Sequence, residues 1–269
     1  MIAAAGLLPR RVLLLVPLAF LWLAAPAGAD DRIAIRFEVF GFAGLHVLTL
    51  HSRTEEAGER YAVAVDFTTK GIASIFEDLT TRAQVSGRVV PGSAEPEWFR
   101  NDTHRGGVDR RSQLDYRPDG SVDAATTPPR KRPVAAAVLR GTVDNLTAYF
   151  RLERQLARTG SCARQERVFD GRHAYDLVFS DAGHRVLAPS GGQNFAGDTI
   201  ACTMVRRNWP DFPDPEKDEG ARSGTIWYAR LLPGDLMVPV RIEMDTQFGI
   251  VDGYLAEIHG RGVDRILME

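Results

Sequence analysis

The chain has 269 residues, with 33 basic and 35 acidic side chains, for a formal charge of −2. Both signs are interspersed, and the basic clusters, such as Arg110–Arg111 and Arg130–Lys131–Arg132, are small, which argues against a nucleic-acid partner, whose phosphates favour a concentrated basic surface. The length suffices to bury one sizeable core.

The N-terminus reads as an export signal. Arg10 and Arg11 are the only charged residues before Asp30, and they precede the apolar runs Val12–Val16 and Leu18–Leu23. Ala27 and Ala29 satisfy the small-x-small rule of a leader peptidase. Residues 1–29 are therefore expected to be a cleavable signal peptide, and residues 30–269 a single β-rich periplasmic domain. A membrane anchor needs roughly 20 apolar residues, and this run is shorter and ends in acid. No cysteine adjoins the cleavage site to carry a lipid. No later stretch reaches membrane-spanning length, so the mature chain is expected to be soluble and to lack a transmembrane segment. Loss of Arg10 and Arg11 moves the formal charge to about −4.

Beyond the leader the dominant period is two. Ile33, Ile35, Phe37 and Val39 alternate with Ala34, Arg36 and Glu38, and Tyr61, Val63, Val65 and Phe67 with Ala62, Ala64 and Asp66. Both are half-buried strand patterns. Gly41 and Gly44 break the first before Leu45–Leu50. Ile72–Leu79 reads as a short helical turn or wide loop, and Thr80–Val90 as a strand. Trp98–Tyr116 is expected to hold two strands around Gly106–Gly107, followed by a turn at Asp119–Gly120 and a proline-rich crossing loop over Thr126–Pro133.

The one prominent helix follows. Thr142 or Asp144 can cap its start and Gly160 can end it. Leu146, Tyr149, Phe150, Leu152 and Leu156 form the apolar sector, and Arg151, Glu153, Arg154 and Arg158 are assigned to the solvated one. Such a helix suits a cover or plug on a sheet. Period two then returns: Val168–Phe169 leads into an Asp170–Gly171 turn, Tyr175–Phe179 ends at Asp181–Gly183, and Thr199–Arg207 is a further strand. Trp209–Gly220, with three prolines and several acids, reads as an exposed loop. Thr225–Leu231, Val238–Thr246 and Val251–Ile258 finish the chain. The fold class expected is mainly β, an antiparallel curved sheet or partly open barrel with one prominent amphipathic helix.

Cys162 and Cys202 are the only cysteines. In an oxidising compartment an isolated pair is expected to close, and the loop it closes restrains the unfolded chain by about 4 kcal/mol. The spacing matches neither a C-x-x-C redox site nor a zinc site.

Several of these segments together resemble the exported bacterial family of unknown function DUF3108. They are Gly41-Phe42-Ala43-Gly44 within Ile33–Leu50, Tyr61, Thr68-Thr69-Lys70-Gly71-Ile72, and Pro128-Pro129 before Arg132. Gly141-Thr142-Val143-Asp144 opens the helix, and Cys162 precedes Val168-Phe169-Asp170-Gly171-Arg172. Gly197 before Cys202 and the strand Pro239-Val240-Arg241-Ile242 complete the set. The likeness spans residues 32–258. It implies a single periplasmic β domain behind a signal peptide, with no catalytic role assigned. A sheet curved around a helix is also similar in architecture to lipoprotein-carrier clamps, an analogy of fold alone.

The residues name no chemistry. Asp170-Gly171-Arg172-His173 is the densest polar constellation; it reads first as a turn with ion pairing, and Arg172 is the sole candidate ligand-binding residue. The six histidines form no His-x-His or His-x-x-x-His pair, so no metal ligand is assigned. Ser190-Gly191-Gly192 lacks the hydrolase elbow, and the glycine-rich stretches lack a phosphate-loop lysine. No catalytic residue and no cofactor is assigned. Two classes of function stand. The first is a non-enzymatic periplasmic protein that binds an envelope lipid or a partner protein, which requires a continuous apolar cavity or groove. The alternative is an envelope hydrolase or transferase, which requires polar groups converging in one pocket.

Overall fold

The computed structural model describes residues 31–71, 74, 78–210, 212, 222–234, 236–246 and 249–268. The leader, most of Ile72–Leu79 and most of the acidic loop after Trp209 lie outside the described residues. The alternating segments become β1 (Arg32–Phe40), β2 (His46–Ala57), β3 (Arg60–Thr69), β4 (Leu79–Val90), β5 (Ser93–Arg105), β6 (Val108–Tyr116) and β7 (Val122–Thr127). A short helix α1 (Ala136–Leu139) and the long α2 (Asn145–Thr159) precede β8 (Arg164–Phe169), β9 (Ala174–Leu187) and β10 (Gly197–Asn208). The remaining strands are β11 (Ser223–Ala229), β12 (Val238–Thr246), β13 (Gly249–Gly260) and β14 (Val263–Ile266).

All of them join one antiparallel sheet in the order β7-β6-β5-β4-β3-β2-β1-β13-β12-β11-β10-β9-β8, with β14 beside β13. Nearly every neighbour is a neighbour in sequence, as short turns favour. The exception is the central pairing of β1 with β13, where Phe37 lies opposite Leu255. The end strands β7 and β8 do not pair with each other, so the sheet curves without closing.

The sheet curves around α2. Asp144 caps this helix by accepting from the Thr147 backbone N–H at 2.8 Å, and Gly160 ends it in the left-handed conformation, φ 69°. One side of α2 presents Leu146 and Phe150 to the first half of the sheet, with Phe150 stacked on Tyr61 at 4.5 Å between ring centres. Its other side presents Ala148, Leu152 and Leu156 to Val168, Leu177, Phe179 and Met204 in the second half. The helix is buried from two directions, as a plug.

Four local expectations are revised. β9 does not stop at Asp181–Gly183 but runs on to Leu187, and the irregularity is absorbed as a register shift opposite Ile200 and Cys202. Asp181 there accepts from the Cys162 N–H at 2.5 Å and from the Ser161 hydroxyl at 2.9 Å. Phe212, read as part of an exposed loop, is buried against Phe169, and the Trp209 indole donates to Asp176 at 2.9 Å. The four-residue β14 was too short to show a period. The polar side of α2 is largely not solvated: Arg151 and Arg154 are engaged in partly buried ion pairs with Glu166 and Glu56, and Glu153 faces a cavity.

Cys162 and Cys202 form the expected disulfide, Cα–Cα 5.7 Å, fully buried in the second core. It ties the segment after α2 to the middle of β10.

Candidate functional site

The residue singled out from the sequence, Arg172, sits where the two ends of the sheet approach each other. The Asp170 side chain makes the turn between β8 and β9, accepting from the backbone N–H groups of Arg172 and His173, both at 2.8 Å. Although burial pushes the Asp170 carboxyl up, its bonds to His173 and to these N–H groups hold it below the usual carboxylate range. The turn projects the Arg172 guanidinium towards the end of β7. There it donates to the Thr127 carbonyl at 2.7 Å and the Pro128 carbonyl at 3.2 Å. Arg130 returns the contact, donating to the Arg172 carbonyl and lying over the Phe212 ring. Alongside, Val143 bonds to β8, its N–H to the Arg167 carbonyl and its carbonyl to the Phe169 N–H, both 2.9 Å. Arg172 is buried among these main-chain groups and does not line the cavity described next.

That cavity lies between α2 and the concave face of the sheet, with a volume of about 330 Å³. This is at the lower end of the roughly 300–1,000 Å³ range of small-molecule sites. The strand period explains its walls: Ile33, Ile35 and Phe37 of β1, Leu50 of β2, and Val63, Val65 and Phe67 of β3 all point inward from alternate positions. Ile226, Tyr228, Val238, Ile242 and Met244 form the opposite wall. Ile35, Leu50, Val65, Ile242 and Met244 are only half-buried although they face inward, because neither α2 nor the opposite wall fills the space before them.

The floor is α2, through Asn145, Leu146, Tyr149, Phe150 and Glu153. Asn145, Tyr149 and Glu153 are spaced at i, i+4 and i+8, so they share one stripe of the helix. Among the described residues, Glu153 is the sole charged one in the lining, and none is a lysine, arginine or histidine. Its carboxyl makes no hydrogen bond or ion pair among the described residues. Burial pushes that carboxyl up to about 8, and the nearby Glu56 carboxylate adds to the rise. Burial likewise pushes the Tyr149 phenol up to about 12, and raises Tyr228 well above the ordinary value, with Glu153 contributing to both. The Asn145 Oδ1 is buried and has no partner. Sequence periodicity identified Tyr149 and Phe150 as inward but placed Glu153 with the solvated residues, since a glutamate at the margin of an apolar sector ordinarily faces water.

The other dense polar clusters are internally satisfied. Glu38 on β1 is held by Arg36, by His46 at 2.7 Å and by the Thr49 hydroxyl at 2.7 Å, and Arg36 also donates to Glu257 at 2.6 Å. Glu166 is flanked by Arg151 at 2.8 Å and Arg164 at 2.5 Å. Among the described residues no group of three or more histidine, cysteine or acidic side chains is arranged to hold a metal ion. No helix of the described residues is long and apolar enough to cross a membrane.

Comparison with known proteins adds the family and the fold. The crystal structure of a β-barrel-like protein of the domain of unknown function DUF1849 from Brucella abortus covers 87% of this chain and all of its own, with a TM-score of 0.51 at 13% identity. A Parabacteroides distasonis structure provisionally described as a lipoprotein covers 85% of this chain and 95% of its own at 11% identity, with a TM-score of only 0.33. No curated protein matches the sequence. The model of the protein family of unknown function DUF3108 matches residues 36–256, which is most of the chain, and the protein therefore belongs to the DUF3108 family.

Proposed function

We propose that this protein is a non-enzymatic envelope protein that binds a single hydrocarbon chain of an envelope amphiphile in the cleft between α2 and the sheet. The observation that carries this reading is the run of inward-facing Ile35, Leu50, Val65, Ile242 and Met244, large apolar side chains left half-buried around a cavity of about 330 Å³. Unfilled apolar surface is costly in water, and each methylene placed against it recovers about 0.8 kcal/mol before ordering costs. The buried Cys162–Cys202 bond agrees with folding in an oxidising compartment, and with it the reading of residues 1–29 as a leader and of the periplasm as the destination. Arg172, spent on the Thr127 and Pro128 carbonyls, has a structural role in this scheme.

The hydrolase or transferase alternative would need a nucleophile within reach of a base. Glu153 has the raised carboxyl such a site could use, but it makes no hydrogen bond to Tyr149, Tyr228, Ser52 or Thr54, the hydroxyl groups that share its cavity. Native mass spectrometry of the protein purified from envelope extract tests the proposal. A bound species of single-chain lipid mass, lost when Leu50 and Val65 are both replaced by bulkier phenylalanine, is the expected result. An empty protein that also fails to take up N-phenyl-1-naphthylamine, an uncharged apolar fluorophore, would overturn it.

A further inference from the structure

Resting on that cleft, we infer that it selects amphiphiles by the charge of the head, accepting an uncharged oxygen head such as an alcohol or ester and rejecting an anionic one. The polar groups of the lining are the hydroxyls of Ser52, Thr54, Tyr149 and Tyr228, the Asn145 amide and the Glu153 carboxyl. Glu153 is the one among them that can carry a charge near neutral pH, and among the described residues of the lining none is cationic. The nearest cations on α2 are turned away. Arg154 pairs with Glu56 and lies over the Phe150 ring at 5.7 Å, while Arg151 donates to the Ala94 carbonyl at 2.7 Å and pairs with Glu166 at 2.8 Å. Arg206 of β10, whose charge lowers the Tyr149 phenol against the effect of burial, is outside the lining; it lies 3.6 Å over the Tyr175 ring and donates to Asn208. Arg261 is likewise committed to Glu56 at 3.2 Å.

A carboxylate or phosphate entering this cleft would lose its water and gain no counter-ion, the condition under which burying a charge costs most. It would also meet the Glu153 carboxyl, the one group in the lining able to carry the same sign. A hydroxyl or ester oxygen meets the opposite situation. Glu153 and the phenols of Tyr149 and Tyr228 lie close enough to influence one another electrostatically, and each can donate to an oxygen lone pair. The Asn145 Oδ1 offers a further acceptor two turns away along the same stripe of α2, about 12 Å in helical rise. The hydrocarbon occupies the apolar wall between these groups, and the head takes the Glu153 end. An ammonium head could pair with an ionised Glu153, but it would surrender its own hydration to a site with one acceptor carboxyl among the described residues of the lining.

The test is displacement of N-phenyl-1-naphthylamine from the purified, oxidised protein at pH 7 by dodecan-1-ol, kept below its solubility limit, and by dodecanoate and dodecylammonium, kept below their micellar concentrations. Dodecan-1-ol is expected to displace the fluorophore at concentrations at least about tenfold below either charged chain. Glu153→Lys supplies the missing cation and is expected to shift the preference towards dodecanoate; Ser52→Lys, on the β2 wall, gives the same readout should the Glu153 variant not fold. Equal displacement by alcohol and dodecanoate overturns the head selectivity while leaving the hydrocarbon cleft standing. Stronger displacement by dodecylammonium also overturns it, identifying Glu153 as a counter-ion. Failure of the fluorophore to bind removes the cleft reading itself, and this inference with it.

Discussion

The guanidinium of Arg172 donates to the main-chain carbonyl of Thr127 at 2.7 Å, joining the turn after β8 to the end of β7, the two strands that terminate the sheet. A sheet of this length that curves without closing leaves two edges, and edges carry unpaired main-chain groups. Arg172 supplies side-chain donors where a closing ladder would supply N–H groups. Arg172→Ala is expected to lower stability by about 2–4 kcal/mol, since it removes a buried guanidinium together with its charge-assisted bonds to the Thr127 and Pro128 carbonyls. Arg172→Lys, which keeps the charge but replaces the planar guanidinium with a shorter side chain ending in an ammonium, should recover only part of that loss. Urea titrations of the three proteins, followed by tryptophan fluorescence, provide the comparison; an unchanged midpoint for the alanine variant would remove Arg172 from the closure.

Gly171, its neighbour, has φ 96°, and a Cβ built on it would lie 2.5 Å from the Ser112 Cβ of β6. Gly171→Ala therefore combines a disfavoured backbone with an overlap across the seam, and a loss of about 2–4 kcal/mol is expected. Adding Ser112→Gly should relieve the overlap but not the backbone term, so the double variant should fall between wild type and the single variant. Additive losses in that cycle would contradict the contact.

Breaking the Cys162–Cys202 bond frees a loop with a sequence separation of 40 residues. The expected loss is about 2–4 kcal/mol, whether by reduction or by Cys162→Ala with Cys202→Ala. Because the same segment is also held by Asp181 through the Cys162 N–H, the fold should persist with a lower urea midpoint rather than collapse. Circular dichroism of oxidised and reduced protein, at matched denaturant, checks both statements.

The pH dependence follows from two carboxyls, Asp144, which is buried, and Glu153, which is half-buried. Asp144 is raised to about 6 by burial, against which its bonds from Thr147 act, and Glu153 to about 8. A carboxyl with a folded value above its ordinary one favours folding at low pH, and that contribution is lost as pH rises through the folded value. Stability is therefore expected to decline from about pH 4 towards pH 8, with the part above pH 6 due mainly to Glu153. Glu153→Gln should remove that upper part and raise the thermal midpoint at pH 8 by several degrees. The exposed His104 imidazole, raised by its bond to Asp109, adds a weaker change of the same sign. The measurement is thus the difference between wild type and Glu153→Gln at pH 6 and pH 8. Parallel profiles would show that Glu153 is solvated and ionised throughout.

Much of the architecture is legible in the amino-acid sequence because its causes are local. Alternation at Ile33–Val39 and Tyr61–Phe67 requires one apolar face on a strand, Asp144 and Gly160 delimit α2, and two lone cysteines leave one possible pairing. The roles of Glu153 and Arg172 are not local. Periodicity states which side chains share a face of one element, but not which surface that face will meet. Glu153 becomes a desolvated carboxyl because β1–β3 and β11–β12, remote in sequence on either side, wall in the stripe it shares with Tyr149. Arg172 becomes a clasp because curvature accumulated over the whole sheet returns Thr127 to within 2.7 Å of it. Sequence determined the strands, the plug helix and the disulfide. Tertiary structure alone decided where water is excluded, and exclusion of water sets what each charged side chain can do.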